Sequence, residues 1–348
     1  MTQPADIRVV TFGEIMLRLA SADGIRLASS RTLDATFGGG EANVAISLAR
    51  MGVPAAFVTA VPENDLGDAA RQFVAGHGVE VTGVVSRPGR MGIYFLEPGA
   101  AQRPSRVLYD RAESSFALAG PGDFDWSALL AGVTWFHTTG ITPAVSASAA
   151  QGAIIGARAA RAAGATVSVD LNYRAKLWNW GRPAGDVMAD LVAEADVLIG
   201  NEEDADKVFG IRAAGTAVSE GRVESAGYAA VAEQLASRFP RLRAVAITQR
   251  GSISASENTW SGVLWTPDTF LVARTWRIAP IVDRVGAGDA FAAGLIAALT
   301  DGCDAAEAIE FAVAAGCLKH SLRGDANLVS RAEIEALAAG SGSGRVDR

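Results

Sequence analysis

The sequence predicts an α/β protein: a mostly parallel central sheet flanked by helices, carrying a small β-sheet lid. Three observations point there. Short β-branched runs alternate with segments of helical period over most of the 348 residues. The connections between them are short, as in sheets covered by helices on both faces. Two stretches break the rhythm and hold strand-like runs without long helices.

In chain order, Ile7–Phe12 (IRVVTF) reads as a buried strand that stops at Gly13. Ala42–Arg50 has helical spacing and ends at Met51-Gly52. Ala55–Ala60 reads as strand and Asp68–Gly76 as helix. The alternation resumes with strand Val133–His137, helix Ser146–Ala163, strand Thr166–Asp170 and helix Val187–Ala195. Strand Val197–Gly200, helix Ala229–Phe239 and strand Ala244–Thr248 follow, and Asp289–Thr300 and Ala305–Lys319 are the closing helices. The exceptions, Leu17–Phe37 and Met91–Arg111, include the runs Gly92–Leu96 and Arg106–Tyr109. They form the lid, bounded at about residues 14–38 and 91–112. No internal repeat or Pro/Ser-rich linker divides the chain, so residues 1–338 are expected to form one domain, with 339–348 as a flexible Gly/Ser-rich tail.

The net charge of -7 argues against a general nucleic-acid binder. A few Arg residues in one cleft can still receive a small anion. No apolar run reaches the roughly 18 residues that span a membrane, and MTQPADIRVV lacks the pattern of a secretory leader. The expected location is the cytosol, with no membrane partner. Cys303 and Cys317 are too few for a disulfide framework or a thiolate metal site. His77, His137 and His320 are scattered along the chain, and structural or surface roles are expected for them.

Three motifs carry chemistry. In Asp283-Arg284-Val285-Gly286-Ala287-Gly288-Asp289 a Gly-rich turn leads into an apolar helix. The first N–H groups of such a helix have no internal partner and can hold an anion. Asp289 stands where the helix starts, either as an ordinary cap or as a base beside a phosphate-binding turn. In Gly38-Gly39-Gly40-Glu41-Ala42-Asn43, glycines permit close approach of backbone to a polyhydroxylated ligand, with Asn43 buttressing the loop or merely capping a hinge. Neither the Walker A pattern nor G-x-G-x-x-G is present. In Asp170-Leu171-Asn172-Tyr173-Arg174, alternation puts Asp170, Asn172 and Arg174 on one side of a strand end. There Arg174 can clamp a carboxylate or phosphate through its planar fork.

The Gly-Gly-x-x-x-Asn stretch near the start and the Gly-Ala-Gly-Asp turn near the end resemble the two signatures of the PfkB carbohydrate kinases, and the likeness runs over nearly the whole chain. Within that family the Asp-x-Asn-x-Arg-x-x-Leu-Trp run and Tyr109-Asp110-Arg111 are similar to the 2-keto-3-deoxygluconate kinases. The resemblance implies a ribokinase-like core with a β lid, ATP and Mg2+ as cofactors, and phosphorylation of a keto sugar acid at its terminal 6-hydroxyl. It implies Asp289 as catalytic base and Gly286, Ala287 and Gly288 as anion hole. Gly39, Asn43, Tyr94, Tyr109, Arg111, Ile141, Arg174 and Asp325 fall on the substrate side. Asn201, Thr248, Arg250 and Gly251 fall on the nucleotide side, the TQRG segment as a strand end and turn over the phosphates. Asp204 stands in the place of a family Glu near the magnesium, and its side chain, one methylene shorter, implies a water-mediated contact. Arg284 replaces the usual Thr or Pro near a monovalent-cation loop, which leaves potassium dependence open.

Two guanidinium groups, Arg111 and Arg174, favour a sugar acid over a neutral sugar such as fructose or ribose, or a nucleoside. A non-catalytic sugar or nucleotide sensor is disfavoured by the intact Asp289 turn, and a dinucleotide oxidoreductase by the missing glycine fingerprint. An exposed lid sheet could pair with a second copy of the chain. The polar run Ser252–Trp260 has no explanation at the level of sequence.

Overall fold

In the computed structural model, which describes residues 8–201, 203–212 and 225–341, the short apolar runs pair into one large sheet. The strands in chain order are β1 (Val9–Phe12), β2 (Met16–Ala20), β3 (Asp34–Gly38), β4 (Ala55–Pro62), β5 (Val84–Arg87), β6 (Gly92–Glu97) and β7 (Arg106–Asp110). Next come β8 (Trp135–Thr139), β9 (Thr166–Asp170), β10 (Val197–Asn201), β11 (Ala244–Ser254), β12 (Glu257–Trp265), β13 (Phe270–Val272) and β14 (Trp276–Ile278). Ile7 and the tail beyond residue 341 lie outside the described residues.

The large sheet runs β13-β12-β11-β10-β9-β8-β1-β4-β5, with β14 also on β12. From β11 to β5 every pairing is parallel. β12, β13 and β14 add an antiparallel edge. Helices on both faces explain why β1 is buried throughout: Val9 joins the cluster under helix Gly40–Arg50 and the closing helices, and Val10 joins the cluster under helix Ala147–Ala162. The Ala/Gly face of Ala147–Ala162 permits close docking, since a Cβ on Gly156 would lie 2.8 Å from the Trp126 ring.

The chain passes from β1 out to β5 and returns to β8 on the other side of β1. Such a reversal opens a crevice at the carboxyl ends of the strands, where α/β proteins bind ligands. Over it lies a four-stranded mixed sheet, β3-β2-β6-β7, assembled from the two stretches that interrupt the helical rhythm.

Most element expectations hold within a few residues. Helix Asp65–Gly76 begins three residues before the expected Asp68 because Asn64 caps it, accepting from Leu66 and Gly67 N–H groups. The larger correction concerns β11. Its expected end at Thr248 is passed by six residues, because β12 pairs with it from Val245–Trp265 out to Ser254–Glu257. The polar run Ser252–Trp260 is therefore the tip and return of a hairpin. Its tip meets the lid, where Ala255 N–H donates to the Ala101 carbonyl at 2.7 Å and Ala101 N–H to Ser256 Oγ at 3.3 Å.

Candidate active site

Helix Ala287–Thr300 starts earlier than its apolar pattern suggests. Gly286 is its N-cap, at φ 84°, and Asp289 sits in its first turn. The ordinary cap reading of Asp289 therefore does not apply. Its Oδ2 instead accepts from Asn43 Nδ2 at 2.7 Å, across 246 residues of sequence. Asn43 Oδ1 in turn accepts from Gly39 N–H at 3.4 Å. Asn43 thus buttresses both the glycine loop and the carboxylate. Burial pushes Asp289 up to about 7, with Asp325 and Glu41 adding to the rise and the Asn43 bond opposing it. A carboxyl group near 7 is poised to accept a proton at neutral pH.

Gly286 and Gly288 have different jobs. A Cβ on Gly286 would lie 1.9 Å from the Asp325 carbonyl oxygen, and its φ favours glycine, whereas one on Gly288 meets nothing within 4 Å. Gly288 lies in regular helix, so the backbone freedom expected at this turn is used by Gly286 alone. Gly286→Ala is expected to lower the melting temperature together with turnover. Gly288→Val is expected to leave melting unchanged while ATP affinity, followed by calorimetry, weakens. Unchanged affinity would remove the turn from the phosphate site.

These groups open onto a cavity of about 410 Å³. Of the residues expected there, Gly39, Asn43, Tyr94, Tyr109, Arg111, Ile141, Arg174 and Asp325 line it, with Asn201, Asp204, Thr248, Arg250, Gly286, Ala287, Gly288 and Asp289. Gly251 does not. It lies within β11, its N–H donating to Thr259 Oγ1 at 3.2 Å, so the TQRG segment is strand and not a turn.

Several contacts differ from the simplest reading. Arg111 does not face the cavity as a bare charge: its Nε donates to Glu14 Oε2 at 2.7 Å and its Nη2 pairs with the same oxygen. Tyr109 lies against the guanidinium, 5.7 Å from the ring centre. Asp325 holds the Tyr94 hydroxyl on Oδ2 and Arg18 on Oδ1, so both oxygens already have side-chain partners. Arg174 is exposed, and its guanidinium donates to its neighbour's carbonyl, on Tyr173, at 2.9 Å, with no ion-pair partner among the described residues.

Arg250 and Arg284 both reach the cavity. Arg284 donates to the carbonyls of Ser254 and Ala255 at 3.0 and 2.7 Å, which places a fixed cation at the hairpin tip. Asp204 accepts from the N–H groups of Tyr173 and Asn201, tying the ends of β9 and β10 together. Asp170 also lines the cavity and is pushed up to about 8, first by burial and then by Asp204 and Asp289. Hard oxygen donors of this kind suit Mg2+, although no group of three or more acidic, His or Cys side chains stands at metal-binding spacing among the described residues.

Three participants, Arg18, Glu41 and Glu14, were not expected at the site. Arg18 alternates with Met16 and Ala20 on the buried face of β2, and a charge in such a register is a readable sign of a buried partner. Glu41, inside the glycine motif, accepts from Thr139 N–H, Thr139 Oγ1 and Thr142 Oγ1, stitching β8 to its own helix. Asp170 was visible as part of a strand end, but its place beside Asp289 was not. Glu14 has no local signature.

The profile of the pfkB family carbohydrate kinases matches residues 6–331. A 2-dehydro-3-deoxygalactonokinase of Haloferax volcanii is 32% identical over 343 residues, covering 98% of this chain and 99% of its own. The crystal structure of a 2-dehydro-3-deoxygluconokinase from Thermotoga maritima superposes with a TM-score of 0.90 at 45% identity, over 96% of this chain and all of the other. A ribokinase II from E. coli in complex with ATP and Mg2+ shares the fold, with a TM-score of 0.79 at 20% identity over 96% of this chain and 99% of its own.

Proposed function

The chain belongs to the pfkB family of carbohydrate kinases, and from that premise we propose that it transfers the γ-phosphoryl group of ATP to the 6-hydroxyl of 2-keto-3-deoxygluconate or its galactonate epimer. The observation that carries this reading is the Asp289 carboxylate, held by Asn43 beside the free N–H groups of a glycine-rich helix start. The substrate class is supported by the names of the relatives and by Arg174, whose guanidinium has no carboxylate partner among the described residues.

In this reading the sugar's 6-hydroxyl lies against Asp289. As its oxygen bonds to the γ-phosphorus, the proton passes to Asp289 and the bond to the bridging oxygen of ADP breaks. The N–H groups at the start of helix Ala287–Thr300 meet the charge on the transferring group. Arg250 and Arg284 meet charge on the nucleotide side. Asp170 and Asp204 would hold a magnesium ion through its water shell, and that ion would neutralise phosphate charge. No helix among the described residues is long and apolar enough to cross a membrane, and a reaction drawing on ATP fits the cytosol.

A coupled ADP-release assay across 2-keto-3-deoxygluconate, 2-keto-3-deoxygalactonate, fructose, ribose and adenosine tests the reading. The two sugar acids are expected to give the highest kcat/KM. A preference for fructose or ribose would overturn the substrate class and leave the kinase assignment standing.

A further inference from the structure

We infer that Arg18 is a positioning residue that links the lid to the phosphate-binding turn and so makes sugar and nucleotide binding interdependent. Arg18 lies on β2 of the lid and is 5% exposed. It reaches out of the lid to two carboxylates of the core. Its Nη2 donates to Asp283 Oδ2 at 2.6 Å, and its Nη1 pairs with Asp325 Oδ1.

Both residues brace the turn, Asp283 through its carboxylate and Asp325 through its backbone. Asp283 Oδ1 accepts from Val285 N–H at 3.0 Å, and Oδ2 also accepts from Gly324 N–H at 3.2 Å. Asp325 presses its carbonyl oxygen onto Gly286, where a Cβ would sit 1.9 Å away. Its other carboxylate oxygen holds Tyr94, a lid residue on the wall of the sugar cavity. Gly38, at the end of β3, lacks the Cβ that would strike Asp325 at 2.2 Å. One planar guanidinium thus spans both sides of the Gly286 turn from a strand of the lid, a geometry that a point charge does not reproduce.

The charges point the same way. Asp283 and Asp325 are opposed by Arg18 and by Lys319, which is wholly buried and donates to the Leu322 carbonyl at 3.1 Å. Arg18 Nε is buried without a partner among the described residues, but both Nη atoms are bonded, and displacing either carboxylate would break a buried charge-assisted bond. A lid drawn down on a sugar therefore moves the turn with it, and a turn filled by phosphate holds the lid. Linkage makes the effect reciprocal.

The inference rests on the kinase reading, and its test separates the two. ADP affinity in Mg2+ is measured by calorimetry for the parent, Arg18→Met and Arg18→Lys, with and without saturating 2-keto-3-deoxygluconate, alongside melting temperature and kcat. The parent is expected to bind ADP more tightly with the sugar acid present, by a factor in the range of about 5–150. Arg18→Met is expected to bring that factor close to one and to lower kcat by about tenfold or more. Arg18→Lys should recover melting temperature more fully than coupling. A variant that melts lower yet keeps the parental coupling and kcat would overturn the inference, leaving Arg18 as a stabilising contact only. A parent without coupling would overturn it too. Should Arg18→Met not fold, Arg18→Lys decides on the same readouts. A parent that turns over fructose and not the acid overturns the substrate reading alone, and fructose then replaces the acid in the titrations.

Discussion

Asp289→Asn is expected to lower kcat by roughly 10²–10⁴-fold with little change in KM. The substitution keeps the side chain's size, and an amide oxygen can still accept from Asn43 Nδ2. Only the proton acceptor is removed. The parental carboxyl, raised to about 7, must be ionised to act, so kcat/KM of the parent should climb with pH and level off above about 7. The Asp289 charge in turn raises Asp170, so the limb belongs to the pair. In Asp289→Asn any limb left in the residual activity should move to lower pH, because Asp170 then loses the Asp289 charge that raises it. Initial rates from pH 5 to 9 with both substrates varied settle it. A kcat within a few-fold of the parent would sink the assignment of the base.

Arg174→Ala is expected to lower the preference for 2-keto-3-deoxygluconate over fructose, measured as the ratio of kcat/KM values, by about tenfold or more. A charge-assisted hydrogen bond contributes about 1.5–3 kcal/mol, which converts to that factor or above. Arg111 and Arg174 both line the cavity, but they are not equivalent. Arg111 is already opposed by Glu14 at contact distance, while the Arg174 guanidinium bonds a backbone carbonyl and has no ion-pair partner among the described residues. The carboxylate's natural partner is therefore Arg174. Arg174→Lys retains charge without the fork and should fall between parent and Ala variant. An unchanged ratio in Arg174→Ala would place that residue outside the site and return Arg111 to the role despite its partner.

Local pattern carried most of the architecture into view. The runs that became β1, β4, β9 and β10 are mostly apolar and buried on both sides because helices cover both faces of the sheet, and that requirement is written into consecutive residues. The glycine turn before Asp289 was equally legible, since a helix start that admits an anion needs small residues at fixed offsets. The hairpin from β11 to β12 was not. Polar residues suffice for a two-stranded arm whose pairing is made by backbone, so no periodicity betrays it.

What the sequence alone determined was the layered α/β fold, the two glycine motifs and Asp289 at a helix start, whereas residues such as Tyr94, Ile141 and Asp325 were expected at the cavity only through the family resemblance. The former depend on neighbours within a few positions, and short-range pattern records them. Only the tertiary structure decided which charges meet. Asn43 reaches Asp289, Glu14 cancels Arg111, and Arg18 joins the lid to Asp283 and Asp325 across separations of 246, 97, 265 and 307 residues. A buried charge requires a partner, but nothing in the chain near it says where that partner will come from. Folding brings distant loops to one end of the sheet, and that end is where the chemistry is assembled.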